Sequence, residues 1–309
     1  MSDTALETVT LEEAVLDAKP RGSLREVLTA LFEDRLAFVG LILVLLTAFA
    51  ALAAPWIAPQ NPYDLAGLDI LDGGLAPGAE SPSGKVYWLG TDEQGRDMLS
   101  AILYGLRISL YVAGLATLIA LAIGMAMGII AAYFGRITET IIMRVVDLQL
   151  GFPSILIALI LLAVLGRGVD KVIMALVLSQ WAYYARVVRA SALVENRKDY
   201  IAAAQCLALS HRRIMARHLL PNCLPPLIVV ATVQIAHAIS LEATLSFLGV
   251  GVPITEPSLG LLISNGYDYL LSGRYWVAVF PGMALLLIIV GVNLVGDRLR
   301  DVLNPRLQR

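Results

Sequence analysis

Six apolar runs of about 20 residues or more constrain this chain more than any other feature. A helix rises 1.5 Å per residue, so about 20 residues cross a hydrocarbon layer of about 30 Å. Inside a bilayer every backbone N–H and C=O must bond within the protein, so such runs are helices. The predicted spans are Leu36–Ile57, Ile108–Phe134, Glu139–Leu165, Val172–Val194, Cys223–Leu248 and Tyr275–Val295. The second is longer than a crossing needs and is expected to tilt or to begin outside the membrane. The third is interrupted by Gly151-Phe152-Pro153, where the proline removes a backbone bond that neighbouring helices can replace. The predicted fold class is an all-α membrane protein with six transmembrane helices.

Lysine and arginine set the orientation, because they accumulate in cytoplasmic connections. Four precede the first span, two are Arg136 and Arg144, seven lie from Arg186 to Arg217, and four follow Asp297. The alternate connections carry only six. Both termini and the connection after the fourth span are therefore expected in the cytoplasm. The expected layout is a cytoplasmic segment at 1–35, the first span at 36–57 and an outer loop at 58–107. A five-span core at 108–296 follows, with a cytoplasmic loop at 196–222, and then a tail at 297–309. In the leader, Ser23 and Glu26 form a capping-box pattern, and Leu24, Val27, Leu28 and Leu31 share one face. That predicts a short helix on the inner surface, or else an extension of the first span. The Pro- and Gly-rich stretch 58–90 reads as irregular loop. A second outer loop, Gly249–Arg274, has a possible short helix at its centre.

Composition excludes several function classes. At 58% hydrophobic and 16% charged, the chain lies far from soluble domains. A net charge of −2 excludes a nucleic-acid partner. Cys206 and Cys223 are far from CxxC spacing and read as small semi-buried residues. His211, His218 and His237 are too dispersed for one metal site. The polar, acidic leader argues against a signal peptide, although "AALAAP" after the first run resembles a cleavage site. There is no GxxxxGK[ST] phosphate loop, GxSxG elbow or HExxH pair. The chain is not expected to be an enzyme, and any energy must come from another chain.

One connection is longer than a turn requires. "DYIAAAQCLALSHRRIMARHLLPN", Asp199–Asn222, is basic, alanine-rich and half apolar. Asp199 is placed to cap a helix over Tyr200–Ala208, and Ser210 a second over His211–Leu220, which Pro221 would end. Ile201, Ala204, Leu207 and Ala208 are expected on one face of the first. Ile214, Met215, His218 and Leu219 cluster on the second. By pattern alone two readings stand: a docking knob for a cytoplasmic protein, or an interfacial helix pair resting on lipid.

Polar residues inside spans are costly and usually face a bundle interior or water. Gln180 in the fourth span and Gln234, His237 and Glu242 in the fifth are candidates for a translocation path or gate. Inter-helix hydrogen bonding is the alternative. Gly124 and Gly128 allow close helix packing, and Arg144 and Asp147 are spaced for an ion pair.

The 199–222 segment resembles the "EAA" loop of ATP-binding-cassette importer permeases. Ala203 and Ala204 match its alanines, and Ile214, His218, Leu220, Pro221 and Asn222 match its tail. The family's Glu position is Ala202 and its Gly position is Ala208. Glu at 202 would complete a capping box with Asp199, so its absence is expected to weaken the helix start by a few tenths to about 1 kcal/mol. A left-handed Ala208 would cost about 1 kcal/mol, so the bend there is expected to be made differently. "GTDEQGRDMLSAILYGLRISL" at 90–110, "LEATLSFLGVGVP" at 241–253 and "GDRLRDVLNPRL" at 296–307 are similar to the C-type permease of dipeptide and oligopeptide importers. Leu259 stands where that family often has Trp. The resemblance covers nearly the whole chain.

What the resemblance implies is specific. The fold would be the type I importer permease, MetI-like, with a cytoplasmic coupling helix, in a bacterial cytoplasmic membrane. Asp199, Tyr200, Ala202, Ala203, Ala204, Leu207, Ala208, Ser210, Ile214, His218, Pro221 and Asn222 would form the contact with the ATPase. Partners would be a homologous second permease, two ATPase subunits that bind ATP and Mg, and an extracytoplasmic binding protein, in a lipid membrane. The substrate would be di- or oligopeptides, with nickel chelates, glutathione or oligosaccharides as rivals. A secondary transporter, or a receptor without transport, would be a different class.

Overall fold

A computed structural model describes residues 29–303 except 30, 65–67 and 83. The expected leader helix begins before residue 29 and so lies largely outside the described residues. What is described shows a break: Asp34 is extended, and its carboxylate accepts from the Leu36 and Ala37 amides at 2.9 and 3.3 Å. That cap starts α1, Arg35–Ile57, as a new helix.

α2, Met98–Phe134, is a single helix of 37 residues. It begins ten residues before the apolar run, because Asp97 caps it through Ser100 N at 2.9 Å. The third predicted span is corrected to two helices, α3 Arg136–Leu150 and α4 Ser154–Leu165, bent by 90°. Pro153 has no N–H to continue the α3 ladder, and its carbonyl instead accepts from Leu156 and Ile157 to start α4.

α5, Val169–Glu195, packs most closely on α2. Small residues make this possible. A Cβ placed on Gly124 would lie 2.6 Å from the Trp181 carbonyl oxygen, and one on Gly128 2.6 Å from that of Ala185. Ala116 and Ala120 continue the seam, both fully buried. Without a hydrophobic drive between helices in lipid, such backbone proximity supplies dispersion contact.

Beyond α5 come α6, Asp199–Cys206, and α7, His211–Ile214. A π turn at Met215–Leu219 leads into α8, Leu220–Phe247. A short α9, Leu259–Tyr267, sits at the centre of the loop where a helix was expected. α10, Trp276–Leu303, crosses α1, with Gly40 and Gly291 at the contact.

α1, α2, the continuous run His211–Phe247 and α10 are long and apolar enough to cross a membrane, and the bent pair makes a fifth candidate. α5 is long enough too, but Gln180, the tyrosines and Arg186 and Arg189 make it less apolar. Together these are consistent with the six expected spans. Asp147 pairs with Arg186 of α5, not with Arg144 as its spacing suggested, and Glu139 pairs with Arg189. Two charges on α3 thus reach across to α5 rather than along their own helix.

The stretch 58–97 is more ordered than its composition suggested. Ala79–Glu80 (β1) pairs antiparallel with Val86–Tyr87 (β2). Asp72 is buried and accepts from Ser81 Oγ and from the Tyr87 hydroxyl at 2.8 Å. Burial and that carboxylate push the Tyr87 phenol up from its ordinary value. Thr91 Oγ1 donates to the Asp72 carbonyl at 2.5 Å and accepts from Leu75 N at 2.8 Å. Trp276 Nε1 then donates to the Thr91 carbonyl at 3.0 Å, tying this cap to the start of α10.

Candidate functional site: the braced helix at 199–222

α6 is amphipathic over only two turns. Ile201 and Ala204 face inward, and with Ile214 and Leu219 they form a small core packed by Tyr133, Leu209 and Met215. Tyr133, in the last turn of α2, also bonds His211 Nδ1 at 2.7 Å. The knob is therefore seated on the end of α2. Its outward surface is Ala202, Ala203, Leu207 and Ala208, all exposed. Ile201, Ala204, Leu207 and Ala208 were expected on one face, and this is corrected: Ile201 and Ala204 are buried, while Leu207 is 74% exposed.

The cause is the way α6 ends. Leu209 N bonds the Ala204 carbonyl at 3.2 Å and Ala208 N the Gln205 carbonyl at 2.9 Å. Those are the paired bonds of a Schellman turn, which needs a left-handed residue at its centre. Ala208 supplies it, with φ of +52°. The expectation that alanine would force a different bend is overturned. The turn keeps its geometry, and the hydrophobic closure of Leu209 on Ile201 and Ala204 offsets the local cost.

Three other details of the sequence reading change. Lys198, not Asp199, occupies the N-cap position, and no side chain caps α6. Position 202 is therefore not the third helical residue of an Asp199-capped box, and the penalty assigned to Ala202 does not arise that way. Ser210 does sit at the α7 cap position, without a side-chain bond. Pro221 does not end a helix. The Leu220 amide bonds back to the Met215 carbonyl, five residues earlier. This widened turn lets the helix pass Pro221, and Asn222 Nδ2 takes the His218 carbonyl at 2.8 Å. The second short helix is thus the first part of the 37-residue run.

Tyr200 is the junction of the site. Its hydroxyl donates to Glu195 Oε2 at 2.8 Å and accepts from Asn222 Nδ2 at 3.0 Å. Desolvation and the adjacent Glu195 carboxylate push the phenol up to about 12, so at neutral pH it remains a donor. Lys198 Nζ holds the other Glu195 oxygen at 2.7 Å. Glu195 was absent from the sequence-based residues. Its signal was an acid in the last turn of a helix, where the dipole disfavours it unless a donor compensates.

The four polar residues of the spans lie apart from this knob. Gln180 and Glu242 are fully buried within the chain, and Gln234 nearly so. Glu242 accepts from Ser109 Oγ of α2 at 2.7 Å and from Ser246 Oγ at 2.8 Å. Among the described residues, neither amide atom of Gln180, nor Gln234 Nε2, has a hydrogen-bond partner. His237 Nε2 lies 3.2 Å from Ser154 Oγ, beside the α3–α4 bend.

Residues 124–309 match the family described as binding-protein-dependent transport system inner membrane component. Residues 23–77 match the N-terminal TM domain of oligopeptide transport permease C. A putative peptide transport system permease protein of Brucella abortus is 40% identical over 91% of this chain and 92% of its own length. The dipeptide transport system permease protein DppC of Haemophilus influenzae is 33% identical over 97% and 100%, and that of Escherichia coli 39% over 88% and 90%. Among solved structures, an inward-facing MetNI methionine ABC transporter chain superposes with a TM-score of 0.53 at 22% identity. That match covers 66% of this chain and 97% of the other, and shows a shared fold. The chain belongs to the family of binding-protein-dependent transport system inner membrane components, multi-pass proteins of the inner membrane, and carries at its N-terminus the domain of the C-type oligopeptide permease.

Proposed function

We propose that this chain is a permease subunit of an ATP-driven importer of di- or oligopeptides. Relatives named for peptide and dipeptide transport, 33–40% identical over most of the chain, support the substrate class. The observation that carries the mechanism is the outward face of α6. Ala202 and Ala203 on the helix, with Leu207 and Ala208 in the turn that ends it, are presented to solvent on a knob seated on the end of α2, a surface shaped for close approach by another backbone. The bias of Lys and Arg towards this side supports a cytoplasmic location for it and for both termini.

In this reading two ATPase subunits, which bind ATP and Mg, grip this helix and its counterpart on a homologous second permease. Closure of the ATPase pair draws the two knobs together, and the spans rock from inward- to outward-facing; hydrolysis resets them. An extracytoplasmic binding protein delivers the peptide. Gln180, Gln234, His237 and Glu242 act in this reading as gate residues of the repacking interior; the support is the Gln180 amide, which has no partner among the described residues and can take one in another state.

Ala203→Asp tests the docking role. A carboxylate in a close apolar contact is desolvated without a partner, which is strongly unfavourable. The variant is expected to insert normally, to lose co-purification with the ATPase and to lose ATP-driven uptake in reconstituted vesicles. Retained uptake with normal assembly contradicts the proposal.

A further inference from the structure

A helix held only by its two covalent ends can pivot. α6 is joined to α5 by three residues and to α7 by four, and Ile201 and Ala204 seat its inner face on the end of α2; a load on its outer face therefore bears on its links to α5 and α8. The structure supplies a second set of links. The Tyr200 hydroxyl, in the first turn of α6, bonds the last residue of α5 and the first turn of α8 at once. Both outer partners are themselves fixed. Lys198 Nζ holds the free Glu195 oxygen, and the His218 carbonyl holds the Asn222 amide.

Ile201 and Ala204 pack the inner face of α6 onto the end of α2, whereas the side that carries the relay borders an open groove. A cavity of about 680 Å³ lies there, lined among others by Val194, Glu195, Asn222, Pro225 and Arg300. On that side the angle between α6 and its flanking helices rests on the hydrogen bonds rather than on side-chain volume.

We propose that Glu195 is a positioning residue of energy coupling: through Tyr200 and Asn222 it locks α6 to α5 and α8, so that displacement of the knob becomes displacement of both spans. This rests on the reading of α6 as the ATPase-gripped helix. With the lock cut, the knob would still dock, and part of each ATP-driven stroke would be spent in pivoting.

The test uses the complete reconstituted complex with Glu195→Ala, Glu195→Gln, Tyr200→Phe and the Glu195→Ala/Tyr200→Phe pair. Two quantities are read: co-purification of the ATPase, and peptide imported per ATP hydrolysed. Glu195→Ala and Tyr200→Phe are each expected to lower the import-to-ATP ratio roughly three- to ten-fold, the factor that one net hydrogen bond commands. The pair should fall no further than the worse single variant, because both cut one relay. Glu195→Gln keeps an acceptor oxygen and should recover part of the ratio. A parental ratio in Glu195→Ala and Tyr200→Phe overturns the proposal. So does a ratio that stays parental while assembly, uptake and hydrolysis all fall together, since that is the signature of lost structure. Ala203→Asp run in parallel separates the two claims: if it leaves assembly and uptake intact, the docking reading fails whatever the ratios are.

Discussion

Ala208 shows what a single residue does to this site. An L-residue with φ near +50° costs about 1–2 kcal/mol against Cβ–carbonyl contact, and glycine escapes that cost. Ala208→Gly is therefore expected to stabilise the α6 turn, by a few tenths to about 1 kcal/mol after glycine's extra unfolded entropy. Slower amide exchange at Leu209 in the isolated chain is the measurement, and faster exchange refutes it. Sequence reasoning named Ala208 and set a left-handed turn there aside on its cost, because the closure of Leu209 on Ile201 and Ala204 that offsets it is visible only in the fold. It found Tyr200 and Asn222 by motif and missed Glu195, whose role exists only once α5 ends beside α6. Glu242 is a second case: its helical face was legible, its serine partner on α2 was not. Glu242→Ala and Gln180→Ala are each expected to reduce uptake of at least some peptides. Parental transport of every tested peptide removes them from the gate.

At the scale of elements, apolar length located the helices well, since a bilayer leaves the backbone no other choice. Their ends and breaks were less legible. Gly-Phe-Pro marked a disturbance in the third span, but a 90° turn depends on what α3 and α4 each pack against. Pro221 read as a stop and is instead carried inside a helix by a π turn, which leaves no mark in the sequence. Gly124 and Gly128 were legible as a close-packing face, because small residues four apart admit a neighbouring backbone, but that α5 is the neighbour was not. Gly124→Val is expected to force the two helices apart. Two of its three nearest neighbours, the Trp181 oxygen and the Ala185 nitrogen, are backbone, so the cost should sit at the upper end of about 1–3 kcal/mol for an overpacked core. A lowered melting temperature of the purified chain is the readout, and an unchanged one contradicts the close seam.

Over the whole molecule, the two ends of the bundle are built by different means. The end bearing β1 and β2 is held by long-range polar bonds such as Trp276 Nε1 to Thr91, 185 residues apart, and composition could only read it as loop. The other end presents a braced helix with little bulk outside. In the proposed function a motor takes hold there. Cys206 gives direct access to it: it is exposed on α6, while Cys223, the only other cysteine, is buried. A thiol-attached photo-crosslinker on Cys206, activated in the assembled and transporting particle, should yield an adduct with the ATPase chain. Adducts with lipid alone, or with a protein on the extracytoplasmic side, would contradict the claim.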